Sequence, residues 1–412
     1  MTQKNIYIAL GFLILLLVMT TGIWFFFFRS TNSISTNTGS PTSAFGNNPS
    51  NSNTSSVNTD LNVNQTINTT ASAEQKIFKI TDGPVVGAML IQTLRPTTTI
   101  ARYINQDDGH VFDVPLGVAG AVPRVVSNVT IPGGQRAVWL EGGNAAIMQY
   151  VDDTGVVKTV YLGFPQATTT SVIQPTRIQF LPDNITDIAA SPDGRSVAYL
   201  LKTQNGSDGY IAKSDGTNSK KVFSLPLSQL LISWPSQSTL LVQTKSAAGV
   251  TGMAFAVDIK SGSISQLVSA PGLSATADPF FSEIVYEKSD GTNEATYAHN
   301  IKNGTDMSLS FNPMPEKCIW SSLSINILYC AVPLQTTTAN YLDLWHAGTA
   351  SYPDGISAYA LNSGLSVAIA TPGSSDGGIA SDIFEMSLSP DEQYLSFTTK
   401  GARALWGVLL SN

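Results

Sequence analysis

Ser191-Pro192-Asp193-Gly194-Arg195-Ser196-Val197-Ala198-Tyr199-Leu200 returns near the end of the chain as Ser389-Pro390-Asp391-Glu392-Gln393-Tyr394-Leu395-Ser396-Phe397. Each reads as a strand end, a Pro-Asp turn and a second strand alternating apolar with small or polar residues. Proline presets φ for the first corner of a type I turn, and Asp and Gly suit the corners that follow. Such a unit cannot bury its apolar face alone, so its recurrence predicts stacked copies.

Aligned on this unit, five further second strands are expected at Thr99–Tyr103, Arg136–Leu140, Thr239–Gln243, Glu283–Tyr286 and Ile327–Cys330, giving seven copies. The Arg136 copy follows the turn Pro132-Gly133-Gly134, and the first and fifth copies are divergent enough to leave six or eight open. From Gln75 onward no amphipathic helical period is evident; short alternating segments are separated by Gly, Pro, Asn and Asp, which indicates an all-β chain. Residues 75–412 give about 48 residues per copy, slightly above the period of a four-stranded propeller blade. The last copy stops one strand short, while a spare strand, Lys76–Thr81, precedes the first. Pairing the two ends predicts a closed ring.

The Ser-Pro-Asp-Gly hairpin, the aromatics before it (Trp234, Trp320) and the outer turn Asp258–Gly262 resemble the TolB-type, WD-like β-propeller repeat. The resemblance covers residues 75–412, with two clean Ser-Pro-Asp copies and no Trp-Asp pattern. It implies a seven-bladed propeller in a cell-envelope setting and no particular ligand, because propellers of this kind serve as scaffolds, receptors and accessory domains.

Charged residues make up only 12% of the chain and the net charge is −7, so no basic stripe invites nucleic acid. Residues 1–5 read as a cytoplasmic N-terminus, and Ile6–Phe28 is free of charge and long enough to cross a bilayer as a helix. A cleaved signal peptide is the alternative, but it carries a shorter apolar core and a small-residue cleavage site. Lys4 and the amino terminus precede the span, which favours a single-pass anchor with the rest of the chain outside the cytoplasm. Residues 29–74 are rich in Ser, Thr and Asn and read as a flexible tether.

Cys318 and Cys330 are the only cysteines. Centring the local hairpin on Ser324 places them opposite each other, so a disulfide is expected in an oxidising compartment, with a reduced buried pair as the alternative.

Chemical motifs are sparse. Gly373-Ser374-Ser375-Asp376-Gly377 matches a nucleophile elbow in spelling, but no histidine follows it, and it reads as a linker between blades. Asp107-Asp108-Gly109-His110, Asp215-Gly216 and Asp290-Gly291 read as hairpin turns, without the spacing of a metal site. No cofactor is expected.

Two insertions break the repeat. One spans Gly163–Asn184 and is expected between the outer strand of the second blade and the inner strand of the third. The other spans Pro333–Gly355, between the second and third strands of the sixth, and contains Tyr341, Trp345 and Tyr352. Both would then emerge at one end of the ring, where long aromatic loops on a rigid scaffold suit a binding role. Packing of these aromatics against their own blade is the competing reading. The expected function is a non-catalytic scaffold binding a cell-envelope protein or glycan. An envelope hydrolase or lyase, or a purely structural spacer, are the alternatives.

Overall fold

The computed structural model describes residues 75–94, 97–165 and 175–410. The expected anchor and tether, residues 6–28 and 29–74, lie outside them. Among the described residues no helix is long and apolar enough to cross a membrane.

Twenty-eight described strands form seven four-stranded antiparallel sheets, each a blade that meanders outward from the centre of the ring. Blade 7 takes its outermost strand from the other end of the chain, β1 (Ile77–Thr81). Blade 1 comprises β2 (Val85–Leu94), β3 (Thr97–Asn105), β4 (Val111–Pro115) and β5 (Arg124–Ser127). Blade 2 is β6 (Gly134–Leu140), β7 (Ala145–Val151), β8 (Val157–Gly163) and β9 (Arg177–Phe180). Blade 3 is β10 (Ile185–Ala190), β11 (Ser196–Thr203), β12 (Gly206–Lys213) and β13 (Lys220–Leu225). Blade 4 is β14 (Leu230–Ser236), β15 (Thr239–Thr244), β16 (Thr251–Asp258) and β17 (Ile264–Pro271). Blade 5 is β18 (Ser274–Ala277), β19 (Glu283–Ser289), β20 (Glu294–Asn300) and β21 (Thr305–Ser308). Blade 6 is β22 (Cys318–Trp320), β23 (Ile327–Pro333), β24 (Asp354–Ala360) and β25 (Leu365–Ala370). Blade 7 is completed by β26 (Ile383–Leu388), β27 (Tyr394–Thr399) and β28 (Leu405–Leu409).

The all-β seven-bladed ring and its closure therefore match expectation: β1 pairs antiparallel with β28, Ile77 opposite Val408 and Thr81 opposite Leu405. One register differs. Arg136–Leu140 belongs to β6, the innermost strand of blade 2 rather than its second. The inner hairpin turns instead at Glu141-Gly142-Gly143-Asn144, where the first three residues have positive φ, and the second strand is the buried run beginning at Ala145.

Polar side chains stitch six of the seven pairs of neighbouring blades at the backbone of an inner strand. Gln106 Nε2 donates to Gly134 O (2.9 Å), Gln149 Nε2 to Ile185 O (3.1 Å) and Arg403 Nε to Val85 O (2.7 Å). Asp187 accepts from Ile232 N (2.7 Å), Asp354 accepts from Ile383 N (2.7 Å), and Gln243 bonds both backbone groups of Ala275. These bonds satisfy backbone groups that the splay between sheets would otherwise leave buried and unpaired. Three of these side chains, Gln106, Gln149 and Gln243, are neutral, and the other three, Asp187, Asp354 and Arg403, are charged.

In the sixth blade Cys318 pairs with Cys330 and Trp320 with Leu328, the expected register, and the two cysteines are bonded. Replacing both with alanine is expected to lower the unfolding free energy by about 3 kcal/mol, measured as a fall in the denaturant midpoint. The turns at Asp107–Gly109, Asp215-Gly216 and Asp290-Gly291 each join two strands of a blade, and Gly373–Gly377 lies in the link from blade 6 to blade 7, as read from the sequence.

Candidate binding face

A meander gives the ring two different ends. At the hairpin end strands one and two, and three and four, are joined; at the crossover end strands two and three are joined and the chain passes between blades. This alternation corrects the expected placement of the first insertion. β9 lies inside it, so the connection runs from Gly163 to Arg177 between the third and fourth strands of blade 2, at the hairpin end. Residues 166–174 of it lie outside the described residues. β9 has every residue exposed, and so carried no burial pattern in the sequence. The second insertion runs between β23 and β24, as expected, and so stands alone at the crossover end.

This second insertion carries one short helix, α1 (Tyr341–His346). Asn340 precedes it with φ of 57°, a left-handed conformation that asparagine tolerates. The Asn340 N–H donates to Gly291 O (2.7 Å), and a Cβ at Gly291 would lie 2.5 Å from Asn340 Oδ1. Asp343 Oδ1 accepts from Ala248 N (2.9 Å). The insertion of blade 6 is thus tied to the turns of blades 5 and 4.

The structure brings Tyr341, Trp345 and Tyr352 together on the inner side of the insertion. Tyr341 is buried with Leu342 against Met314; Trp345 and Tyr352 are half-buried around them. Tyr352 meets Tyr341 edge-on at 5.3 Å. Trp345 Nε1 donates to both oxygens of Asp382 (3.1 and 3.0 Å), and Lys400 Nζ sits 3.9 Å from its ring centroid.

Beneath them lies an ion cluster. Lys317 has a fully buried side chain whose Nζ stands 2.6 Å from Asp354 Oδ2 and 2.7 Å from Asp382 Oδ1. It also lies 3.4 Å from the Tyr341 hydroxyl. Two cations, Lys317 and Lys400, thus face two carboxylates around Trp345. Burial pushes Asp354 up to about 6, with the Lys317 charge opposing it. Burial likewise raises Tyr341 and lowers Lys400. A paired, desolvated cluster of this kind fixes position more than it adds net stability. Here it fastens the insertion to blades 6 and 7.

A second knot adjoins it. Glu316 accepts from Ser246 Oγ (3.2 Å) and Ser274 Oγ (3.1 Å) and pairs with His346 Nε2 at 2.8 Å. Burial opposes its ionisation, but His346 and the serine hydroxyls outweigh that and hold Glu316 below the usual glutamate range. Nearby Glu287 is buried, and its Oε2 has no hydrogen-bond partner among the described residues. Burial first, then Glu294 and Glu316, drives Glu287 well above the ordinary carboxylate range. The folded chain therefore holds a proton at Glu287 that the unfolded chain releases near 4.5, so this residue's contribution to stability falls as pH rises above that value. Glu287→Gln is expected to melt like the wild type at about pH 4 and to exceed it at about pH 8.

Sequence reasoning missed Glu316, Lys317, Asp354, Asp382 and Lys400. The available signal was scarcity: with charges at 12%, acidic residues at the starts of strands are unusual enough to ask what faces them. On the outer side the crossover end presents Leu344 (37% exposed), Leu334 (55%) and Val250 (61%). Between blades 3 and 4 it opens into a cleft of about 340 Å³ lined by Thr186, Lys202, Gln229, Leu230, Leu231 and Lys245.

No protein-family model matches the chain, and no curated protein matches it. Solved structures do. TolB from Acinetobacter baumannii is similar at 11% identity and TM-score 0.39 over 68% of this chain, which spans 62% of the TolB chain. The β-propeller domain of the Trilobed protease from Pyrococcus furiosus is similar at 12% identity and TM-score 0.42, over 65% of this chain and 77% of that one. A functionally unknown protein from Desulfotomaculum acetoxidans is similar at 11% identity and TM-score 0.49, over 76% of this chain and 93% of that one. At these identities the likeness concerns the fold alone, and the ring itself rests on the strand pairing above.

Proposed function

We propose that the protein is a membrane-tethered, extracytoplasmic propeller that acts as a non-catalytic scaffold and engages a cell-envelope protein through the crossover end. One observation carries this reading. The insertion is fastened by a buried ion cluster and by bonds to blades 4 and 5, while its Leu334 and Leu344, like Val250 of blade 4, are exposed at the same end of the ring. A rigid support presenting aliphatic side chains loses little conformational entropy on binding, which favours a protein partner. A glycan would sooner call for exposed aromatic faces, whereas Tyr341, Trp345 and Tyr352 turn toward the ring and support the platform from within. The apolar run Ile6–Phe28 supports the membrane anchor, and residues 29–74 the tether.

The test is capture of partners from cells by the full chain beside a Leu334→Glu/Leu344→Glu variant of equal thermal stability. Recovery of the same partners in equal amount by both chains would remove the crossover end from the account. Enrichment of glycans instead of proteins would change the ligand class, and turnover of envelope peptides or glycans by the purified chain would replace the scaffold with an enzyme.

A further inference from the structure

Seven blades expose seven outer strands, and a bare strand edge invites another strand unless charge, proline or irregularity protects it. Five of the seven carry charge: Lys79 in β1, Arg124 in β5, Arg177 in β9, Lys220 and Lys221 in β13, and Asp306 in β21. β17 is neutral, but it shows Ser265, Gln266 and Ser269 to solvent and ends on Pro271. β25, Leu-Ser-Val-Ala-Ile-Ala, has neither charge nor proline; its one irregularity is a bulge at Ile369, which leaves Leu365–Ala368 in regular register with β24. Leu365 is 67% exposed and Val367 62% exposed. From Gly355 to Ser375 the chain contains no Asp, Glu, Lys or Arg. Among the described residues, the backbone of Leu365–Ala368 makes no hydrogen bond beyond its ladder with β24. Beside this strand, between the outer parts of blades 5 and 6, lies a shallow groove of about 90 Å³ lined by Met307, Leu309, Phe311, Tyr359, Leu361 and Leu365.

We infer that β25 is a docking edge for an extended, uncharged segment of a partner protein that adds to blade 6 as a fifth strand. Main-chain hydrogen bonds to the free edge would hold the segment, and alternate apolar side chains would enter the groove. Charge selects the occupant, because an edge without a charge for twenty-one residues offers nothing to offset desolvation of a charged strand. Area selects it further. Six residues of strand span about 20 Å, and pairing along that length falls short of the ~1,200–2,000 Å² of a standard interface. A second rigid propeller touching by this edge would bury little else, whereas a pliable segment also fills the groove. This surface is separate from the crossover-end platform, so either proposal can fail alone.

The probe is a fluorescein-labelled, capped ten-residue peptide alternating Val and Thr, titrated with the full chain and followed by anisotropy. Saturable binding is expected with Kd between about 1 μM and about 1 mM, weakened at least about tenfold by Val367→Lys. Methylating alternate amide nitrogens of the probe should abolish binding, and hydrogen exchange at Leu365–Ala370 should slow in the complex. Val367 is exposed, so the variant should melt with the wild type. Three results would overturn the inference: no saturation by about 1 mM, equal binding by Val367→Lys or by the methylated probe, or a dimer of the chain that Val367→Lys dissolves. The last would make a second copy the occupant.

Discussion

A chain beginning at Gly83 is expected to remain unfolded or aggregate, whereas one beginning at Gln75 folds and melts as the full-length protein does. The difference between them is β1. Its loss removes the antiparallel ladder to β28 and the Leu409 N–H bond to Lys76 O (2.9 Å). It also removes Ile77, fully buried among Ile356, Phe397, Trp406 and Val408. Truncating one buried isoleucine to alanine costs about 2–5 kcal/mol. Domains are stable by only about 5–15 kcal/mol, so losing a whole strand along with that side chain exhausts the margin. The freed edge of β28 would also pair with other chains. Far-ultraviolet circular dichroism and size-exclusion chromatography of the two truncations decide the matter; a folded, monomeric chain from Gly83 would show that the ring does not depend on its closing strand.

Lys317→Met is expected to cost about 3–5 kcal/mol, because it strands the carboxylates of Asp354 and Asp382 in a site without water access. The triple change Lys317→Met/Asp354→Asn/Asp382→Asn should recover most of that loss, since the damage comes from uncompensated charge rather than from a missing attraction. Urea denaturation measures both. Limited proteolysis supplies the local readout, because cutting within Leu334–Pro353 should accelerate in the single variant and slow again in the triple one. A single variant with wild-type stability would remove the cluster's role in fastening the insertion.

The parts of the fold that were legible in the sequence are those written in local chemistry. The Pro-Asp turns at 192–193 and 390–391 mark inner hairpins, and the truncated last copy with a spare strand at the start predicts how the ring closes. The cysteine register followed from turn length alone. What escaped depends on distance or on short elements. Blade 2 turns on Glu-Gly-Gly-Asn rather than on proline, so the Pro-Gly-Gly turn one strand earlier gives the stronger hairpin signal. β9 is four exposed residues with no alternation to read, and missing it moved an insertion to the wrong end of the ring. The ion cluster joins residues from 317 to 400 through tertiary packing, which no spacing rule exposes in a single sequence. Tyr341, Trp345 and Tyr352 were legible as a group because they share one loop. Their inward orientation was not, since it is set by Lys317 and Asp382 on neighbouring segments.

Photocrosslinking inside cells tests the binding reading most directly. A photoreactive residue placed at Leu344, on the crossover end, is compared with one at Leu323, on the hairpin end, both exposed and outside the core. The account predicts discrete adducts with an envelope protein from position 344 and none of those adducts from position 323. Identical adducts from both positions, or adducts from position 323 alone, would contradict it.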